Sequence, residues 1–344
     1  MFSETLGNIL FFVLGFTWMV YLAQEIFISG VALLNTAISK NEKERKQLQV
    51  ISGLHFDGME VWLIAAIALT EGVFPLAFGT TFSYLYVIMF LLLFAIIGRG
   101  VSVEVIYKLD SRKWQKSMVM MWLVSSIAMM FLLGTYISNI FFGFPIGPNG
   151  LEGTGFSILN VTGISGGLLF IALSFVAGAG WINLLTEGDI KDRGLRFVKK
   201  VGIIYTIPVL TLLVFMGWNN TDASLWTGVL YMNYPVLYIL PILTVLAGLM
   251  VIYYGFKEKG RQLLIHAIAV TVLFVISGYI GSFPYVLSSN INPMYGITIV
   301  EAMSSANGLR IILTTVSIFY PIIIGYQTWK YKKFWQKVKL NDEE

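Results

Sequence analysis

Apolar residues run along this chain in stretches of about twenty, the length an α-helix needs to cross the hydrocarbon core of a bilayer. Nine such stretches stand out, over 7–38, 59–78, 81–104, 117–142, 164–186, 199–217, 226–256, 262–288 and 307–329. They are too long for barrel strands, and unpaired backbone cannot sit in lipid. The pattern therefore predicts an all-α polytopic membrane protein, a single transmembrane domain over 1–344. The semi-apolar segment 289–306 is expected to lie along one membrane surface.

The polar positions between the stretches orient this bundle. Lys40, Lys43, Arg45 and Lys46 follow the first helix, and Lys108, Arg112, Lys113 and Lys116 follow the third, with Arg99 near its end. Lys191, Arg193, Arg196, Lys199 and Lys200 fill the 187–200 loop, and Lys257, Lys259 and Arg261 the 257–261 loop. The tail holds Lys330, Lys332, Lys333, Lys337 and Lys339. Only Arg310 falls elsewhere, so 22 of 23 basic residues lie on one side of a nine-helix arrangement. That side is predicted to be cytoplasmic, with the N-terminus outside and the C-terminus inside. The first helix lacks a basic leader and a small-residue cleavage site and reads as a retained span.

Composition narrows the chemistry. The 344 residues are 57% hydrophobic and 12% charged, with mean hydropathy +0.77 and formal charge +4. The basic loops account for the charge without a nucleic-acid partner. With no cysteine, iron–sulfur clusters, thiolate-ligated haem and disulfides are excluded. The two histidines, His55 and His266, fall near the same ends of helices 2 and 8, and read as interfacial polar residues more readily than as haem ligands. Phosphate-binding loops, a dinucleotide fingerprint and an HExxH site are absent from the sequence. The sequon at 219–221 falls in a loop on the non-cytoplasmic side.

What remains is acid inside apolar sequence. Residues 53–75 read GLHFDGMEVWLIAAIALTEGVFP, with Asp57, Glu60 and Glu71 and no Lys or Arg. On a helical wheel the three carboxylates fall within about 60°, and about 21 Å separates the first from the last along the axis. Such a stripe should face protein or water, as a proton or cation route, or pair with cations of another helix or subunit. Glu25 stands late in helix 1, and Arg99 and Glu104 near the end of helix 3. Arg99 is expected either to neutralise Asp57 or Glu60 or to hold a cofactor propionate. Glu187 and Asp189 read as loop residues. Gly167 and Gly178 are eleven residues apart, near one face of helix 5, and mark a packing seam. Three readings stay open from the residues alone: a helper subunit of a membrane redox complex, a secondary transporter using the acidic stripe, or a structural membrane partner.

Several short stretches bear a family resemblance. DGMEVW at 57–62 resembles the DGNEVW signature of subunit II of cytochrome bd-type quinol oxidases. IIGRGVSVEV, GAGWINLLTEGDIKDR, FPYVLSS at 283–289 and PIIIGYQTWKYKKFWQKV at 321–338 are similar to later segments of that family, in the same order. The resemblance implies two four-helix bundles plus one peripheral helix in a prokaryotic plasma membrane. It implies a chain without a catalytic centre or metal of its own, paired with a subunit I that carries b-type and d-type haem. The pair would oxidise quinol and reduce oxygen to water, drawing protons from the cytoplasm and so generating proton-motive force. A small single-helix subunit and a quinone or lipid bound to this chain are compatible with it. Asp57 takes the position of the family's proton-path aspartate, with Glu60, Glu25 and Glu71 as further path candidates. Trp62, Arg99 and Glu104 are candidates for the interface or the haem-facing surface.

The chain also departs from the family pattern. Glu25 stands where the first aspartate of a DGFDxGVG run is usual, and Ile28 where the second is. Met59 replaces the asparagine of DGNEVW, and Ala177 a histidine of helix 5.

Overall fold

A computed structural model describes residues 2–201, 206, 210, 228–334 and 337–338, apart from the side chains of 54–57 and 334. The sixth apolar stretch, 199–217, and the sequon lie almost wholly outside these residues.

The long helices are α1 (Phe2–Ile38), α2 (Glu42–Val73), α3 (Pro75–Tyr84), α4 (Tyr86–Val105), α5 (Arg112–Phe142) and α6 (Val161–Leu185). They continue with α7 (Asp189–Lys200), the short α8 (Val229–Asn233), α9 (Ile239–Phe256), α10 (Gly260–Ser282), the single turn α11 (Ile299–Ala302) and α12 (Ala306–Phe334). Among the described residues seven helices are long and apolar enough to cross a membrane, and eight if the two parts of α2, which meet at 44°, count as one span.

Four sequence boundaries are corrected. The 40–58 segment is helix rather than loop, because Asn41 caps α2: its side chain accepts from the Glu44 amide at 2.8 Å, and Glu42 and Glu44 complete an acidic first turn. The run 59–78 breaks early, at Phe74. Pro75 has no N–H to continue the ladder and sits instead at the first position of α3, and the third span starts at Tyr86 rather than 81. The seventh stretch is interrupted at Tyr234–Pro235, where a 3₁₀ turn replaces α-helix. The eighth ends at Ser282, because Pro284 cannot extend it and Tyr285–Leu287 turns into a strand.

The helix α6 is the central post, packed on α1, α5 and α10, while α2 packs on α1, α4 on α5 and α9 on α10. Glycine makes the tightest crossing possible: a Cβ on Gly30 of α1 would fall on the Ser174 carbonyl and on Gly178 of α6. Gly167, by contrast, faces Phe131 of α5. The seam read from the sequence thus serves two neighbours, because α1 and α5 meet α6 at different heights.

The basic loops do gather at one end. There Arg193 of α7 pairs with Glu44 of α2, and Lys199 pairs with Glu258 at 2.9 Å. Val338 joins them, accepting from Gln47 at 2.8 Å and donating to the Leu185 carbonyl at 2.9 Å. The opposite end is capped by two small antiparallel ribbons, β1 (Ile146–Gly147) with β2 (Gly150–Leu151) and β3 (Tyr285–Leu287) with β4 (Ile297–Thr298). The Phe144 amide donates to Ser288 at 2.8 Å and the Ser289 hydroxyl to Ile146 at 2.7 Å, locking the two loops together. The 289–306 segment is therefore a folded cap.

Within that cap, Thr298 and Glu301 form a capping box on α11: the Thr298 amide and hydroxyl donate to Glu301 Oε2 at 2.9 and 2.7 Å. These bonds hold the Glu301 carboxyl below the usual carboxylate range. A depressed carboxyl adds stability that is present above the unfolded value, about 4.3, and is lost as pH falls through the lowered one. The group is exposed, so the effect is small. Glu301→Gln is expected to reduce the fall in thermal midpoint between about pH 5 and about pH 3; an unchanged slope would remove the carboxylate from the cap's acid sensitivity. A second expectation concerns the crossing. Gly30→Val should destabilise the detergent-solubilised protein by about 1–3 kcal/mol or more through overpacking, read as a lower thermal midpoint.

Candidate functional site

The charged residues of the sequence analysis meet at one buried point. The guanidinium of Arg99, on α4, lies between Glu25 of α1 and Glu60 of α2. Its Nη1 donates to Glu25 Oε1 and its Nη2 to Glu60 Oε1. Side-chain exposure is 1% for Arg99, 0% for Glu25 and 20% for Glu60, so the Arg99–Glu25 pair is sealed while Glu60 keeps a view out. Ser29, one turn beyond Glu25, donates to the same Oε1 and accepts from Arg99 Nη1 at 3.4 Å. The fork of a guanidinium suits this arrangement, because two parallel arms can reach two carboxylates at once.

Local sequence explains why Arg99 can stand there. It is flanked by Gly98 and Gly100, and Ser125 Oγ of α5 lies 2.5 Å from where a Cβ on Gly98 would be. A side chain at Gly98 would therefore have to turn the Ser125 hydroxyl aside. The Ser102 hydroxyl donates to the Arg99 carbonyl at 2.8 Å, and the Gln49 amide of α2 reaches the Val103 carbonyl.

A second seam lies beside the cluster, between α1, α2 and α12. Trp62 is buried here, at 5.2 Å from the Tyr320 ring and 6.1 Å from Phe16. The Tyr320 hydroxyl meets Thr17 Oγ1 at 2.6 Å, and the Tyr331 hydroxyl donates to Gln24 at 3.0 Å. Gln327 of α12 donates to the Gly58 carbonyl in the DGME turn of α2, and the Lys330 ammonium lies alongside. A groove of about 700 Å³ opens between these helices, lined by Phe16, Val20, Gln24, Trp62, Ile324, Gln327, Thr328, Tyr331 and Lys332.

The remaining candidates stand apart. Glu71 is exposed on the surface of the chain near the capped end, two residues before Val73, whose carbonyl accepts from Ser304 at 2.8 Å. It does not join Glu60, although the two are close on the wheel. Glu104 is exposed at the basic end of α4. Trp62 faces α1 and α12 inside this chain rather than its outer surface. The side chains of Asp57 and His55 lie outside the described residues. His266 shares a 2.7 Å contact with the Gln262 carbonyl through Nδ1 and packs against the Tyr254 ring at 4.9 Å. Among the described residues no three His, Cys, Asp or Glu side chains are grouped to hold a metal.

Sequence reasoning missed Ser29, Tyr21 and Gln327. The first two follow from Glu25 by four-residue steps along α1, a spacing that was available. Nothing in the sequence marks Gln327.

These features define a multi-pass helical membrane protein with a buried ion cluster near its basic end. The chain belongs to the cytochrome bd terminal oxidase subunit II family, whose pattern it matches over residues 6–334. It is 28% identical over 320 residues to cytochrome bd ubiquinol oxidase subunit 2 of Bacillus subtilis, covering 91% of each chain. It is 23% identical over 351 residues to cytochrome bd-I ubiquinol oxidase subunit 2 of Escherichia coli K12, covering 92% of this chain and 91% of that one. The fold is similar to the bd oxidase structure from Geobacillus thermodenitrificans, with TM-score 0.73 at 13% identity, over 97% of this chain and 100% of the other.

The cluster's contribution to stability can be measured. Arg99→Leu should destabilise by about 3–5 kcal/mol, because it leaves two carboxylates facing a largely apolar interior. Arg99→Lys should recover little of this, since an ammonium lacks the fork. A leucine variant with parental yield and thermal midpoint would show that the ion pairs do not hold α4 in place.

Proposed function

We propose that this chain is the haem-free subunit II of a bd-type terminal oxidase in a prokaryotic plasma membrane, and that it supplies the subunit interface and an inner proton path. In the complex, quinol oxidation would be coupled to reduction of oxygen to water, with b-type and d-type haems in subunit I. The observation that carries the reading is the Glu25–Arg99–Glu60 cluster, the place where the described chain commits ionisable groups to its apolar interior. One guanidinium and two carboxylates carry together one negative charge, which low dielectric disfavours. Taking up one proton neutralises the three groups. That is the property a relay needs to hold a proton and pass it on.

The basic end would face the cytoplasm, with the N-terminus outside, nine spans in two four-helix bundles plus the peripheral α12, and the whole chain as one transmembrane domain. The acids would then be loaded from the side on which protons are consumed. Asp57, beside the Gly58 carbonyl that Gln327 holds, would form the mouth; Glu60, partly exposed, would be the next station; Glu25 would be the buried one. Glu71 and Glu104, on the surface of this chain, would face subunit I, a small single-helix subunit or lipid headgroups. The groove beside Trp62 has the size and apolar lining for a quinone or lipid tail. No observation favours a secondary transporter over this reading.

Two measurements test it. Gentle purification from the native membrane should bring a second polytopic subunit with b- and d-type haem bands in the reduced-minus-oxidised spectrum. In that complex, Glu25→Gln should lower oxygen consumption by about tenfold or more, within the range by which a positioned acid–base group acts, while the haem bands stay intact. A colourless chain purifying alone would overturn the assignment. Full turnover and proton uptake in Glu25→Gln would overturn the proton path.

A further inference from the structure

We propose that Tyr21 is a positioning residue for a proton held on Oε2 of Glu25, a step that rests on the proton-path reading above. Helix α1 carries Thr17, Tyr21, Glu25 and Ser29 at four-residue intervals, all fully buried. This is one continuous polar edge on an otherwise apolar helix. Within it, the two oxygens of Glu25 are not equivalent. Oε1 is taken by Arg99 and Ser29. Oε2 is buried without a hydrogen bond of good geometry, and so is the Tyr21 hydroxyl one turn away, although the hydroxyl and the carboxyl lie close enough to interact.

A buried hydroxyl and a buried carboxylate oxygen are each expensive to leave unpaired, and the pairing of one with the other removes both costs. The surroundings of Tyr21 offer little else. Trp18 packs edge-on against it at 6.1 Å and against Tyr136 at 6.2 Å, closing that side with aromatic carbon. Among the described residues, the titratable groups facing Glu25 are Tyr21 of its own helix, Glu60 of α2 and Arg99 of α4. At the crossing with α6, α1 meets Ser174 and Gly178 through backbone atoms.

The hydroxyl, directly or through one water, donates to Oε2 while the carboxyl is ionised. When a proton binds at Oε2, the new carboxyl O–H donates, the tyrosine oxygen accepts, and the tyrosine's own hydrogen turns away. One proton is gained and later released; no bond to carbon changes and no electron moves. Oε1 keeps its hydrogen bond from Arg99 throughout, so the proton is exchanged without moving the guanidinium.

The test uses the assembled oxidase with Tyr21→Phe, which keeps the ring and removes one oxygen. Redox-induced infrared difference spectra would first assign the Glu25 carboxyl band as the one lost in Glu25→Gln. In Tyr21→Phe, at full haem content, that band should shift. The alkaline limb of the pH profile of oxygen reduction should move by about half a unit or more, because the hydroxyl bonds the two protonation states of the carboxyl differently. An unmoved band and an unmoved limb, with the band still absent in Glu25→Gln, would overturn the role of Tyr21 and leave the proton path standing. Full turnover in Glu25→Gln would remove both.

Discussion

A guanidinium with 1% exposure in an apolar bundle is a constraint on everything around it. Its desolvation is repaid only if its arms end on carboxylates in good geometry. Arg99 therefore fixes the rotation of α1, α2 and α4 about their axes: Glu25, Glu60 and Arg99 must all point to one place. Such a cluster is poor evidence of stability in itself, since apolar side chains of equal volume often pack as well. Its value lies in specifying one arrangement of three helices.

The constraint shapes the packing around it. The cluster sits in the C-terminal half of α1, and the Gly30–Gly178 crossing with α6 follows Ser29 immediately. Bringing the two backbones together there presses α1 against the central helix and leaves its polar edge turned toward α2 and α4. On the far side Gly98 faces Ser125 of α5. By contrast, α12 is attached through polar pegs, Tyr320 on Thr17, Gln327 on Gly58 and Tyr331 on Gln24. A helix held in this way can border an open groove, which a helix packed by continuous apolar contact could not.

Much of the architecture was readable in the sequence because lipid imposes simple demands: spans of about twenty apolar residues and basic loops at one end. The breaks were harder. Pro75 and Pro235 mark the ends of helices, yet apolar residues run on past both, so hydropathy alone joins what the backbone separates. The residues of the ion cluster were also readable one by one, as acids and a base in apolar runs. Their pairing was not, because Arg99 could meet any acid at its depth and only the rotations of the neighbouring helices decide. Glu71 shows the same limit. A wheel predicts which residues share a face of α2, but the neighbour changes along that face: Glu60 meets Arg99, whereas Glu71 is exposed.

The departures from the family pattern fit together once the geometry is known. The resemblance places two aspartates along this turn of helix 1, and here only one acid remains, as Glu25, with Ile28 in the second place. Glutamate is longer by one methylene, and Oε1 of Glu25 reaches the guanidinium of Arg99 across the helix interface. Ile28 is buried in the core, so a carboxylate there would need a cation of its own. Ser29, one residue on, bridges Glu25 and Arg99 without adding charge. Glu60 then supplies the second negative group from α2. The cluster thus holds one cation between an acid of α1 and an acid of α2, and the carboxylate on α1 is the one with an oxygen to spare.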